Sequence, residues 1–134
     1  MVNSENKWSG FSDLKDEETK ELIKNRIRFT ESDIELSKNL WHNYAENNEE
    51  NLVQLSKTDS GCFKYLEEVI QAHIDRDAIK SGEGRPEKTL KKIISEGKNN
   101  FNEIFFEFNK TEGIYGFGDM QVKLLLRNKL NYQI

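Results

Sequence analysis

Few side chains in this chain have the types and spacing that chemistry needs. His73 is followed one helical turn later by Asp77, a carboxylate placed to accept a ring proton. That spacing suits a general base or a metal ligand, and His73 with Asp77 is the candidate catalytic pair. His73 also falls on an apolar stripe, where a histidine held by a local helical pair serves packing, and this is the reading adopted. His42 and Glu46 repeat the spacing beside Trp41. Two histidines without a His-x-x-x-His or Cys-x-x-Cys arrangement do not make a zinc site, so no metal and no cofactor are expected.

Cys62 is placed near a predicted helix start, a position that favours the thiolate. A cysteine nucleophile needs a base within hydrogen-bond reach. His73, eleven residues along the same predicted helix, would stand roughly 16 Å away at the standard helical rise. Cys62 is therefore read as a small helix-start residue. Glu67 and Glu68 are adjacent, so their side chains diverge by about 100° and form a solvated face. The Gly113–Gly118 stretch lacks the lysine of a phosphate-binding loop and the dinucleotide spacing, and is read as a connector. Arg85 and Glu87 flank Pro86 at a helix start, where they could bind a partner's carboxylate or amide, or simply cap the helix.

The elements that must position these residues are helical. No segment sustains two-residue alternation, and proline occurs once. A first helix is expected from near Asp13 to Ile27, with Leu14, Leu22, Ile23 and Ile27 partly sharing a face. Thr30 with Asp33 gives a capping-box-like start to a second helix, whose stripe is Ile34, Ser37, Leu40, Trp41 and Tyr44. A short helix from Asn48 to Ser56 follows, then a longer one from Cys62 to Asp77 carrying Phe63, Leu66, Val69, Ile70 and His73. Trp41 and Tyr44 are expected to be buried against that stripe.

After the loop Lys80–Gly84, three helices follow in a helix-turn-helix-like unit: Pro86–Glu96, ended by Gly97; Asn100 to about Asn109; and Asp119–Leu130, capped by Asp119. Gly113–Phe117 could form a short extended piece. Trp8 and Phe11 are expected to pin the N-terminal segment to the body. The expected fold is all-α: one compact domain of six or seven helices, divided into residues 1–81 and 82–134.

The chain has 134 residues and a net charge of -4, unevenly spread. Residues 82–134 hold 9 Lys+Arg against 7 Asp+Glu, whereas the remainder is acidic. An acidic body argues against a broad phosphate-binding surface. The single Cys62 excludes an internal disulfide and fits a reducing compartment. The first residues lack an apolar signal core and no long apolar run exists, so a cytoplasmic protein without membrane association is expected.

Trp41…Tyr44, Phe63-Lys64-Tyr65-Leu66, His73…Arg76, Gly84-Arg85-Pro86-Glu87, Gly97 and Gly118-Asp119 follow in an order that resembles the C-terminal half of the domain-of-unknown-function 1835 family. The resemblance runs from about Phe11 to Leu130. Family members commonly have proline where Lys64 stands, and Phe-Pro where this chain has Asp77-Ala78. The resemblance implies a helical fold that usually accompanies an N-terminal α/β portion, and no catalytic residues.

The last helix bears on function. Projected from Met120, Val122, Leu125, Leu126 and Leu130 fall at roughly 140–280°, while Met120 and Leu124 fall at roughly 0–40°. A helix with two apolar sectors wants contacts on two sides, which a DNA groove does not offer. The expected function is a non-enzymatic interaction or regulatory module, acting with a protein partner or by self-association. Met120, Leu124, Arg85 and Glu87 are the partner-binding candidates. The alternative is nucleic-acid binding through Lys123 and Arg127.

Overall fold

The computed structural model describes Trp8, Gly10 and residues 14–77 and 82–132. It is all-α: seven helices, with no strand among the described residues. They are α1 (Asp16–Lys24), α2 (Glu31–Ala45), α3 (Glu49–Ser56), α4 (Leu66–Arg76), α5 (Arg85–Ser95), α6 (Phe101–Glu112) and α7 (Asp119–Leu130). The chain forms two compact units, Leu14–Ile74 and Asp75–Ile134, and the division falls inside α4 rather than in the loop that follows. Of the two N-terminal aromatics, Trp8 is half-buried and Phe11 lies outside the described residues, as do positions 78–81 of the interhelical loop.

The caps explain where the helices begin. Thr30 Oγ1 accepts the Asp33 backbone N–H at 3.2 Å, and the Thr30 N–H donates to Asp33 Oδ2 at 2.8 Å, completing the reciprocal box at the start of α2. Asn48 and Asn100 cap α3 and α6 by accepting the N–H groups of Asn51 (3.1 Å) and Glu103 (3.0 Å). Gly97 ends α5 with φ 92°, a left-handed conformation that L side chains rarely adopt.

Several expected boundaries shift. Helix α1 begins at Asp16 rather than Asp13 and stops at Lys24, and it buries no residue; Ile23 and Ile27 are exposed. Helix α4 starts at Leu66, not Cys62: the Cys62 N–H donates to Ser60 Oγ (3.2 Å), and the residues between form a turn that closes from the Leu66 N–H to the Phe63 carbonyl (3.1 Å). Helix α5 begins one residue before Pro86. Gly118, not Asp119, caps α7; its N–H is already met by Gln121 Oε1 at 2.9 Å, which leaves Asp119 to pair with Lys123 at 3.4 Å. Helix α6 runs on to Glu112, and Gly113–Tyr115 continues as a 3₁₀ turn instead of an extended piece.

The two units differ in how they are filled. In the C-terminal unit, α5 packs on both α6 and α7. Leu90 and Ile93, Ile104 and Phe108, and Val122 and Leu126 form one closed core. Burying side chains of this kind is worth about 1.5–3 kcal/mol each. In the N-terminal unit α2 packs on α3, and Leu36, Leu52 and Ala72 are buried alongside the polar Asp33, Asn43 and Ser56. This smaller core leaves much of the unit's apolar surface facing outward.

Candidate docking groove

In the N-terminal unit the polar groups hold the frame and the apolar groups line a groove. The Asp33 carboxylate accepts the Ser60 hydroxyl at 2.6 Å and the Thr30 hydroxyl at 2.7 Å, and the Cys62 thiol lies 3.5 Å from it. These bonds fasten the loop before α4 to the start of α2. The hydroxyl groups of Ser60 and then Thr30 hold the Asp33 carboxyl well below the usual carboxylate range. Burial, then the hydrogen bond to Asp33, and then the Asp33 charge, push the Cys62 thiol up. Cys62 is thus a protonated donor to Asp33 and not the thiolate its position in the sequence would favour. At the other end of α2, Asn43 Nδ2 donates to the Asn39 carbonyl (2.8 Å) and Asn43 Oδ1 accepts from Asn51 Nδ2 (3.0 Å), which sets α3 against α2.

On that frame, Ser37, Leu40, Trp41 and Tyr44 of α2 face Leu52 of α3 and Phe63, Leu66 and Ile70 around the start of α4. Together they line an open groove of about 400 Å³. Leu52 is buried and forms its floor. The rim is aromatic: Trp41 stacks on Tyr44 (centroids 5.8 Å apart), and Tyr44 lies against the His73 ring at 5.0 Å. Trp41 is 70% exposed and Tyr44 43% exposed. The expectation that both pack inside against the Phe63–Ile70 stripe is therefore corrected. The stripe and the two aromatics do share one surface, but nothing in the unit closes over it.

His73 accordingly belongs to the groove's rim. Asp77 lies beyond the last residue of α4, and its carboxylate is 3.7 Å from the Arg76 guanidinium. His42 pairs with Glu46 at 3.4 Å on the exposed face of α2. Among the described residues no three His, Cys, Asp or Glu side chains gather closely enough to hold a metal ion, and no helix is long and apolar enough to cross a membrane.

In the C-terminal unit, Arg85 turns inward. Its Nε donates to Glu112 Oε1 at 3.2 Å, and its Nη2 meets Oε2 at 2.9 Å as an ion pair rather than an aligned hydrogen bond. Thr89 Oγ1 adds a 2.7 Å hydrogen bond to Oε1, Asp75 lies 3.9 Å from Nη1, and the guanidinium sits over the Tyr115 ring. Burial pushes the Tyr115 hydroxyl up to about 12. Arg85 is thus already engaged within its own unit. Glu87 is half-buried with Oε2 enclosed beside Gly84. Sequence reading missed Glu112 and Thr89. The available signal was a lone carboxylate at the C-terminal end of α6, where the helix dipole is unfavourable and a cation is needed.

Helix α7 divides as its two apolar sectors require. Val122 and Leu126 are fully buried and Leu125 and Leu130 pack against the core, while Met120 is 63% and Leu124 42% exposed. Lys123, between them in sequence, lies 4.5 Å over the Phe101 ring as well as beside Asp119. Arg127 is exposed. Comparison with models of protein families, with curated proteins and with solved structures finds no match to this chain.

Proposed function

We propose that this chain is a non-enzymatic protein-interaction module, and that the groove of α2, α3 and the start of α4 is its docking surface for a helical segment. The observation that carries this reading is Trp41, 70% exposed on the rim of an apolar groove whose floor is Leu52. Large aromatics of this kind, beside a desolvated pocket, carry much of the energy of protein interfaces. A groove between helices is the shape that receives the apolar face of an amphipathic helix. The inward engagement of Arg85 and the raised Cys62 thiol also support a binding role over a catalytic one. On the resemblance to the domain-of-unknown-function 1835 family, that family's α/β portion is one class of partner.

A photo-crosslinking amino acid at position 41 tests the reading in the expressing cell. We expect a discrete adduct to one protein, lost when Tyr44 and Ile70 are changed to Ser. Adducts unaffected by those changes, or no adduct at all, would overturn it.

A further inference from the structure

We infer that the segment received by the groove is helix α7 of a second copy of this chain, so that copies join head to tail. This inference rests on the groove being a docking surface. Two features of the molecule single out α7. The first is shape: an occupant needs apolar anchors at i and i+4 on an exposed helix face, and Met120 and Leu124 supply that pair. The opposite face of α7 is already committed to its own core through Val122 and Leu126, so the helix is held rigid and presents its outer sector ready-made. The second is charge. Residues 31–74, which build the groove, carry nine Asp and Glu against three Lys and Arg. Helix α7 carries Lys123, Arg127 and Lys129 against Asp119 alone. The lining of the groove is itself uncharged, so this complementarity is between the segment that builds it and the helix, where Arg127 and Lys129 remain after Lys123 pairs with Asp119. It favours this pairing over groove against groove or helix against helix, each of which would bring like net charges together.

Because the two surfaces differ, one contact leaves a free α7 face on one copy and a free groove on the other. Those two surfaces then meet each other in a closed reciprocal dimer or take up further copies, to a ring or a chain. This gives a test that groove-against-groove or helix-against-helix pairing fails. Trp41→Ser removes the groove's rim anchor, and Met120→Ser with Leu124→Ser removes the helix anchors. All three residues are exposed, and unchanged helical circular dichroism will confirm folding.

Analytical ultracentrifugation of the full chain up to about 1 mM covers the range in which weak specific contacts are seen. The wild type is expected to associate as concentration rises, to a closed dimer or beyond. Each variant alone is expected to be monomeric, with association weakened about tenfold or more. The equimolar mixture is expected to stop at a one-to-one dimer, because one variant keeps its groove and the other its helix.

A wild type that stays monomeric overturns self-association. So does association that survives either variant, or a mixture that remains monomeric. The docking reading is judged separately. If the wild type is monomeric but the photo-crosslinker at position 41 yields one discrete adduct to a different protein, the groove is a docking site with another occupant. If it yields no adduct, the docking reading fails as well.

Discussion

Arg85 Nη2 stands 2.9 Å from Glu112 Oε2, joining the first turn of α5 to the last turn of α6. Glu112 is almost wholly buried and sits at the negative end of its helix, so both its environment and the dipole disfavour its charge. The guanidinium and the Thr89 hydroxyl offset that cost. Removing the cation alone leaves a buried, uncompensated carboxylate. Arg85→Ala should therefore destabilise the protein by about 2–4 kcal/mol, short of a fully buried pair because Arg85 is part-exposed. Arg85→Met combined with Glu112→Leu should recover most of the loss. Urea unfolding of the wild type, Arg85→Ala, Arg85→Met, Glu112→Leu and the double variant checks this, and an additive double variant would show that the pair is not coupled.

Gly84 precedes that same turn, and its place is fixed by space. A Cβ built there would lie 2.2 Å from the Arg76 carbonyl oxygen, whereas one at Gly61 meets nothing within 4 Å. Gly84→Ala should cost about 1–3 kcal/mol, as overpacking does. Gly61→Ala should be neutral or stabilising by about 0.4–1 kcal/mol through the unfolded chain. Thermal melts of both variants check this; a Gly84→Ala variant as stable as the wild type would contradict it.

Trp41 and Phe108 are both large aromatics on apolar helical stripes, yet one is 70% exposed and the other 0%. Trp41→Ala should change the stability of the isolated chain by less than about 1 kcal/mol, while Phe108→Ala should cost about 3–5 kcal/mol. Chemical denaturation at low protein concentration separates folding from any association. A loss at Trp41 comparable with that at Phe108 would mean that the groove is closed.

Asp33 makes stability depend on pH in one direction. Its carboxyl is held well below the unfolded value of about 3.9, so its hydrogen bonds favour the folded state above that pH. The contribution falls away as pH drops below about 4 and the unfolded chain takes up the proton. The stability gap between wild type and Asp33→Asn should therefore be widest at neutral pH and shrink progressively between about pH 5 and the acid limit. Urea midpoints measured across that range check the sign; a gap that widened on acidification would contradict it.

Local chemistry made much of the fold legible in the sequence. The caps at Thr30, Asn48 and Asn100, the stop at Gly97, the single proline and the helical spacing of apolar side chains are interactions within a turn or two. They determine an all-α chain and the approximate bounds of most helices. The two-sector pattern of α7 likewise announced a second face, at Met120 and Leu124. What covers an apolar stripe is a long-range matter, and only the tertiary structure decided it. The stripe through Trp41 and the stripe through Phe108 have the same period, but α5 and α7 close over the second, while the N-terminal unit leaves the first open. The start of α4 and the inward turn of Arg85 were settled in the same way. Asp33 and Ser60 are 27 residues apart, as are Arg85 and Glu112, and no local spacing brings such partners together.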